Sequence, residues 1–214
     1  MKAPGRQQQR KEETRAELIE AAAAVFVERG YHAASLQQVA KRAGFTTGAI
    51  YGHFPNKDQL FLAVFEQFAL TRVAELGSTA VSPGAPFGER ARAHADQWMA
   101  RHKSDEGFTV VALEFAVHAI RTPPLRKALA ARYAAVRLVA ARMVEEDARA
   151  SGVELPMPPL EFATVLRELG VGLSFAQLLD PEAVADSLYG DFVERLYRLI
   201  ENGTPSLRPR DVSP

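Results

Sequence analysis

The sequence contains no cysteine, and it lacks the short motifs that mark the commonest catalytic sites. Without cysteine the chain has no disulfide bonds and no thiolate chemistry. The 214 residues include no nucleophile elbow, no HExxH zinc motif and no glycine-rich phosphate loop. We therefore predict that the protein is not an enzyme, and we predict no catalytic residue, metal ligand or cofactor.

Long apolar runs and strand-like alternation are scarce as well. The first 15 residues are polar and basic with no apolar stretch behind them, which does not fit a signal peptide. The most apolar runs, such as AAAAVFV, are too short to cross a bilayer. Since no segment alternates with a period of two, we predict an all-α protein. Without a signal peptide or a membrane-spanning run, we also predict that it is cytoplasmic and has no membrane partner.

Charge is balanced in total but uneven along the chain. There are 26 basic and 26 acidic residues, and 47% of the residues are hydrophobic, which is enough for a sizeable core. Residues 1–57 contain nine Lys or Arg and five Glu, a net charge of +4, so the remainder carries −4. A basic N-terminal part is a modest indication of nucleic-acid binding.

Apolar periodicity predicts nine helices. The first runs from about Glu12 to Arg29 and is stopped by Gly30; its apolar stripe consists of Leu18, Ala22, Val25 and Phe26. After two short helices, a fourth begins at Lys57. Loops rich in Gly and Pro separate the later helices. These later helices are expected at about 88–103, 107–121, 123–151, 159–179 and 181–201.

Residues 35–57, SLQQVAKRAGFTTGAIYGHFPNK, have the pattern of two short helices joined by a sharp turn. Ser35 and Gln38 form a capping box at the start of the first helix. Gly44 stands where a helix end favours positive φ, and Thr46 can cap the second helix. With Ala40 at the crossing and Ile50 as the apolar anchor, this spacing predicts a helix-turn-helix.

The second short helix is too polar to form a core, so we expect its outward face to contact DNA. Threonine side chains can meet base edges, whereas Tyr51, His53 and the nearby Lys57 are suited to phosphate oxygens. The alternative is that Tyr51 and His53 only cover a small helical core. The outward face comprises Thr47, Gly48, Ala49, Tyr51, Gly52 and His53.

The run GFTTGAIYGHFPNKDQLF resembles the signature of the TetR family of bacterial transcriptional repressors, and the resemblance is specific over residues 12–65. It implies a nine-helix architecture with an N-terminal three-helix helix-turn-helix bundle and a larger C-terminal helical domain for ligand binding and dimerisation. Gly52 departs from a common aromatic residue. The positions at which the resemblance implies DNA contacts are Thr46, Thr47, Ala49, Tyr51, His53 and Lys57.

The last two predicted helices suggest a homodimer. The 181–201 helix has two apolar stripes, and a single domain needs only one of them. The stripes consist of Val184, Leu188, Phe192 and Leu199, and of Tyr189, Val193, Leu196, Tyr197 and Ile200. In helix 159–179, Gly170 and Gly172 suggest that another backbone approaches closely. We predict a four-helix interface of helices 159–179 and 181–201 from two chains; the alternative is one thick monomer core.

The resemblance also implies an inducer pocket in the C-terminal domain. Suitable residues are polar or aromatic side chains on mostly apolar helices. Glu114 and His118 could instead form a surface pair or begin a metal site, but a third ligand is missing within sequence reach. The candidates are His94, Trp98, Phe108, Glu114, Phe115, His118, Tyr133, Arg137 and Phe175.

The predicted organisation is a mobile basic tail (1–11), a helix-turn-helix domain (12–56), a ligand-binding and dimerisation domain (57–203) and a frayed tail (204–214). The expected function is a repressor that binds a pseudo-palindromic double-stranded DNA operator as a homodimer and is released by a small molecule. Alternatives are a helical small-molecule-binding protein or enzyme that does not use DNA, or an architectural protein whose N-terminal bundle binds a partner protein.

Overall fold

The computed structural model describes residues 5–77 and 84–202, in which every regular element is an α-helix. This confirms the predicted all-α architecture with nine helices for the described ranges. The predicted tail at 204–214 lies outside them, as do residues 1–4 of the N-terminal tail. The helices are α1 (Arg6–Ala33), α2 (Leu36–Arg42), α3 (Thr47–Tyr51), α4 (Lys57–Gly77), α5 (Phe87–Ser104), α6 (Glu106–Ile120), α7 (Pro123–Ala150), α8 (Pro159–Leu179) and α9 (Leu188–Glu201).

The chain divides into two compact units. Unit 1 contains Met1–Leu70 and Glu106–Arg132, and unit 2 contains Thr71–Asp105 and Tyr133–Pro214. The divisions fall inside α4 and α7, so unit 1 includes α6 together with the three N-terminal helices. The domain limits proposed from the sequence, with a boundary after residue 56, stay a prediction.

The core of unit 1 consists of the apolar stripes of α1 and α4 with α6. All four predicted stripe residues of α1 are buried. Aromatic rings then connect the helices, because Phe61 of α4 packs against Phe26 of α1 at 5.0 Å and against Phe115 of α6 at 4.2 Å between ring centroids. These contacts hold α4 and α6 against the N-terminal helices within this unit.

Helix α1 is longer than predicted at both ends. It begins at Arg6, because the polar Gln, Arg and Lys residues that precede Glu12 are good helix formers, and Gln8 donates to the Glu12 carboxylate at 2.8 Å. At the other end Gly30 interrupts the helix with φ 75°, and one further helical turn follows, ending at Ala33. Residues 6–11 are therefore helical rather than an irregular tail.

The core of unit 2 is built by α5, α8 and α9 with part of α7. Phe87 and Met99 of α5, Phe162 of α8, and Val193 and Tyr197 of α9 are all buried in it. Of the two predicted stripes, helix α9 turns inward the one that contains Tyr189, Val193 and Tyr197. The other stripe, which includes Leu188, Phe192 and Leu199, lies on the opposite face of α9.

Two expectations for the C-terminal helices were wrong. Helix α9 begins at Leu188 rather than at Pro181, because the Asp180 carboxylate accepts from the backbone of Glu182 and Ala183 and closes a local turn. Gly170 does not admit a backbone: a Cβ there would lie 2.8 Å from Nε1 of Trp98, so it makes room for an indole ring.

Among the described helices, α8 is long and apolar enough to cross a membrane by length and composition. A single helix of this kind is weak evidence for a membrane span, because core helices of soluble proteins meet the same criterion. One side of α8 packs within unit 2, since Phe162 and Leu166 are buried in its core, whereas Leu160, Val165, Phe175 and Leu179 are exposed. The expectation that no segment reaches this length was wrong.

Candidate functional site

The helix-turn-helix of unit 1 is built by local hydrogen bonds that the sequence predicts. Ser35 and Gln38 form the reciprocal capping box of α2, with bonds of 2.9 and 3.3 Å. Gly44 takes φ 74° in the turn, and the Thr46 hydroxyl accepts from the backbone of Ala49 at 3.2 Å to cap α3. These bonds fix where each short helix begins and ends.

Two apolar anchors hold α3 in place. Ala40 of α2 and Ile50 of α3 are fully buried, as the predicted packing of the two helices requires. Phe54, just after α3, is also buried, with the Arg15 guanidinium 5.3 Å from its ring centroid. Because α3 has only five residues, these anchors leave most of its surface outside the core.

The residues predicted to contact DNA lie on the outer surface of unit 1, apart from Lys57. Tyr51 is 49% exposed, which removes the alternative that it only covers a core. Ala49 and His53 are half-buried at the edges of this surface. The exposed positions are Thr46, Thr47, Gly48, Tyr51 and Gly52.

Lys57 has a different environment from the predicted one. Its ammonium donates to the carbonyl oxygens of Tyr31, His32 and Ala34 at 2.8, 3.0 and 3.0 Å. An ammonium has three donors, and all three are used to satisfy the carbonyls at the C-terminal end of α1. Burial lowers the pKa of Lys57, and the nearby Asp58 carboxylate raises it. This side chain therefore stabilises the bundle and is not free to bind phosphate.

Sequence analysis missed two cations at this surface. Lys11 and Arg15 lie on the early turns of α1, both exposed, and close enough to affect His53. Burial, and then the charges of Lys11 and Arg15, hold the pKa of His53 below its ordinary value. The sequence did contain an indication of this. The residues before Glu12 are an unbroken run of helix formers, which predicts that their basic side chains lie on α1 and not on a tail.

Four of the predicted ligand residues belong to unit 1. Phe108 and Phe115 are buried in its aromatic core. The Glu114 carboxylate accepts from the backbone N–H of Tyr31 at 2.7 Å, immediately after the Gly30 kink. His118 Nε2 lies 3.5 Å from a carboxylate oxygen of Asp58. These contacts give the four residues structural roles within unit 1, with Glu114 bonded at the end of α1.

Unit 2 contains a cavity of about 140 Å³ between α5, α7, α8 and α9. Its walls are mostly apolar, and the predicted residues His94 and Trp98 are part of its lining. Tyr133, Arg137 and Phe175 also belong to unit 2 but are absent from the described lining, and Phe175 is 44% exposed. The predicted ligand residues therefore do not form one site, because they are distributed among the core of unit 1, the cavity of unit 2 and the surface of unit 2.

The sequence analysis also missed Arg167 and Asp147, which contribute charged groups to the cavity. Arg167 is the one basic residue of α8, next to Glu168 in the otherwise apolar run VLRELG, and this was the available signal. No group of three or more potential metal-ligating side chains occurs in the part of the chain that the structure describes.

A capped pair of short helices, with buried anchors and a polar outward face, is the arrangement of a helix-turn-helix. Residues 18–64 match the family model described as bacterial regulatory proteins, tetR family. The N-terminal segment of the chain is therefore similar to the DNA-binding segment of the TetR family of bacterial regulators.

The comparisons differ in how much of the chain they cover. The transcriptional activator FasR of Mycolicibacterium smegmatis is 46% identical over 57 residues, which are 27% of this chain and 26% of that protein. The chain thus matches about a quarter of the length of this relative. A regulator from Pseudomonas aeruginosa PAO1, described as putative, has a similar fold, with a TM-score of 0.70 and 20% identity over 90% of this chain and 92% of its own.

The regulator FadR from Bacillus subtilis, solved in complex with stearoyl-CoA, has a TM-score of 0.66 and 16% identity. The alignment covers 85% of this chain and 96% of that one. At such identities the likeness to solved structures concerns the fold. Sequence similarity supports the DNA-binding segment, and the rest of the chain shares the helical layout.

Proposed function

We propose that this protein is a ligand-responsive transcriptional repressor that acts in the cytoplasm and binds a pseudo-palindromic operator as a homodimer. The observation that carries the proposal is the exposed polar face of α3, with Thr47 and Tyr51 outermost on buried anchors. A five-residue helix that contributes one buried residue to a core has most of its surface available for a major groove.

The interface with DNA would combine this face with the cations of α1. Arg15 and Lys11 lie beside His53, and Arg6 and Arg10 precede them on the same exposed helix. Phosphate contacts of this kind set affinity and orientation, whereas the α3 side chains would read bases. Lys57 is excluded from our interface because its donors are used within unit 1.

Homodimerisation is supported by the apolar face that α8 and α9 leave uncovered. Leu188, Phe192 and Leu199 of α9 are 44%, 46% and 57% exposed. On α8, Phe175 and Leu179 are 44% and 72% exposed. Apolar side chains in register on two adjacent helices favour a self-complementary partner surface, and a two-fold axis would present two α3 helices to one duplex.

The first test selects bound DNA from a random duplex pool and measures affinity at several salt concentrations. We expect an inverted repeat and a steep loss of affinity with salt, about −0.9 in log–log slope for each phosphate contact. Failure to enrich any sequence, with no salt-dependent binding, would instead favour a helical small-molecule-binding protein that does not use DNA.

Two substitutions on α3 separate base reading from phosphate binding. Thr47→Ala is expected to change preference at one base pair by about 1–3 kcal/mol, because a threonine can contact a base edge. Tyr51→Phe is expected to weaken binding to all sequences similarly, because it removes a hydroxyl directed at phosphate. Titration of both variants against the selected site and single-base variants of it distinguishes these effects. Equal losses on every site for Thr47→Ala would contradict its assigned role.

A further inference from the structure

Unit 2 contains a cavity beside its buried core that its own side chains do not fill. The cavity has a volume of about 140 Å³ and lies between α5, α7, α8 and α9. Protein interiors are close-packed, and voids larger than a water molecule are few because the atoms around them lose packing contacts. A cavity of this size therefore favours a molecule that is supplied from outside the chain.

Small side chains create this space. Alanines line the cavity from three helices, with two of them one turn apart on α5, one on α7 and one on α8. Those on α5 and α8 are buried, so they face the interior of unit 2. Larger apolar side chains at these positions would close the gap between the helices. The alanines are Ala91, Ala95, Ala140 and Ala163.

The two charged side chains of the lining are each paired within the chain. The Asp147 carboxylate accepts from Nε and a terminal nitrogen of Arg90 at 2.9 and 2.6 Å. The Arg167 guanidinium pairs with the Glu168 carboxylate, and its carbon lies 4.6 Å from the ring centroid of Tyr133. A charged ligand would therefore lose its hydration on entering without meeting an unpaired counter-ion in the described lining.

The remaining polar side chains of the lining add no charge to it. Nε1 of Trp98 is inaccessible to solvent, so this donor does not open into the cavity. The Tyr189 hydroxyl donates to the Leu166 carbonyl oxygen at 2.9 Å. Burial lowers the pKa of His94 and raises the pKa of Tyr197, so both rings are neutral at pH 7. The lining as a whole favours an uncharged ligand.

The volume of the cavity limits the size of the ligand. At about 140 Å³ it is close to the roughly 150 Å³ of an engineered apolar protein cavity that binds benzene, and it lies below the roughly 300–1,000 Å³ of pockets for drug-sized ligands. Apolar side chains complete the walls between the alanines, and this volume suits a single ring. These side chains include Val136, Met143, Val144 and Val193.

We infer that the cavity of unit 2 binds an uncharged, apolar molecule with a single ring, such as a monoaromatic hydrocarbon, between the alanine and valine side chains of its walls. The inference rests on the proposed function, for which it names the chemical class of the inducer. The binding free energy comes from removing the ring surface from water and from the packing contacts that the empty cavity lacks.

The test uses the full chain with toluene, benzoate and benzylammonium as probes, which share one ring and differ in charge. Isothermal titration and thermal melting at pH 7 are expected to show binding of toluene that saturates below its solubility limit. Both ions are expected to bind at least about tenfold more weakly, because each would leave water without gaining an unpaired counter-ion. This comparison needs no substitution, so it does not depend on how a variant folds.

Three variants then locate the bound ring. Ala140→Leu and Ala163→Leu place larger side chains in the cavity from α7 and from α8, and each is expected to lower affinity for toluene about tenfold or more. Ala135→Leu makes the same change at an exposed position of α7, and this matched control is expected to bind toluene normally. Thermal melting without ligand checks that each variant is folded.

The inference is overturned if toluene does not bind, if either ion binds as tightly as toluene, or if both cavity-filling variants keep normal affinity while they melt cooperatively. DNA binding is measured in parallel with and without toluene, and toluene is expected to weaken it. Binding to DNA without binding of toluene overturns the ligand class alone. Binding of toluene without binding to DNA supports the ligand class and overturns the repressor.

Discussion

At the scale of single residues, the role of a side chain can depend on contacts with residues that are distant in the sequence. Lys57 has the sequence position of a phosphate-binding residue, yet its ammonium completes the carbonyl end of α1. Nothing within a few residues of Lys57 predicts this, because its acceptors lie 23–26 residues earlier in the chain. Residue roles that depend on such long-range acceptors are not readable from a local motif.

Substitution of Lys57 tests this role directly. Lys57→Met keeps most of the aliphatic stem and leaves three carbonyls without their charged donor, so we expect the free energy of unfolding to fall by about 1–3 kcal/mol. Urea denaturation followed by circular dichroism measures the change. Lys127→Met, at an exposed position of α7, is the control and should change stability by less than about 0.5 kcal/mol. Similar curves for both variants would contradict the role.

A second residue-scale prediction concerns His102, whose ring is buried in unit 2. Its Nε2 lies 3.2 Å from an Arg72 nitrogen that can only donate, so Nε2 accepts and Nδ1 donates to the Trp98 carbonyl at 3.0 Å. Burial, and then the Arg72 charge, lower the pKa of His102 to about 4. The neutral ring is therefore part of the folded state.

Because the folded-state pKa lies below the unfolded value near 6.5, the unfolded chain binds the proton first as pH falls. Stability should therefore decrease between about pH 6.5 and pH 4, on the order of 3 kcal/mol from this group. Urea denaturation across that range measures the slope. His102→Gln cannot titrate and is expected to show a shallower decline; equal slopes would mean that another group is responsible.

At the scale of elements, the parts that the sequence predicts well are those fixed by neighbours in the chain. The capping box, the Gly44 turn and the Thr46 cap all follow from contacts within four residues. The start of α9 was misplaced because a turn at Asp180 competes with the helix, and the cavity lining was largely missed because four helices supply it. Local patterns predict elements, while sites assembled from several elements need the tertiary structure.

Two glycines of the helix-turn-helix should respond oppositely to alanine. Gly44 has φ 74°, so Gly44→Ala is expected to destabilise the protein by about 1–2 kcal/mol through the steric cost of the left-handed conformation. Gly48 lies within α3, and an added Cβ would meet only the Thr46 hydroxyl oxygen, at 3.9 Å. Gly48→Ala is therefore expected to stabilise by roughly 0.5–1 kcal/mol. Thermal melting of both variants checks the signs, and a change in the same direction would contradict this account.

At the scale of the whole molecule, the exposed surface relevant to assembly is the apolar face of α8 and α9. Its prediction from two stripes on one helix succeeded because amphipathicity is a property of a single element, and the structure buries one stripe and exposes most of the other. Val184 is the exception, since it is buried in the turn segment before α9. We propose that a second copy of the chain covers the exposed stripe.

Disruption of that face should produce monomers. Phe192→Glu introduces a charge at a half-exposed apolar position of α9, and we expect sedimentation analysis at micromolar concentration to show a shift from dimer to monomer, with loss of operator affinity. Val117→Glu makes the same change at a 53% exposed position of α6 and is expected to remain dimeric. If the Phe192 variant stays dimeric, another surface forms the interface.

The position of Trp98 has a practical consequence. It is the chain's single tryptophan, and it borders the cavity, with the His102 ring tilted against it at 4.4 Å between ring centroids. Emission excited at long ultraviolet wavelengths therefore originates from that one indole, and its intensity and colour follow the polarity and hydrogen bonding at this wall. The protein therefore has an intrinsic fluorophore at the wall of its cavity, and binding of a small ligand there can be followed by fluorescence without an attached dye.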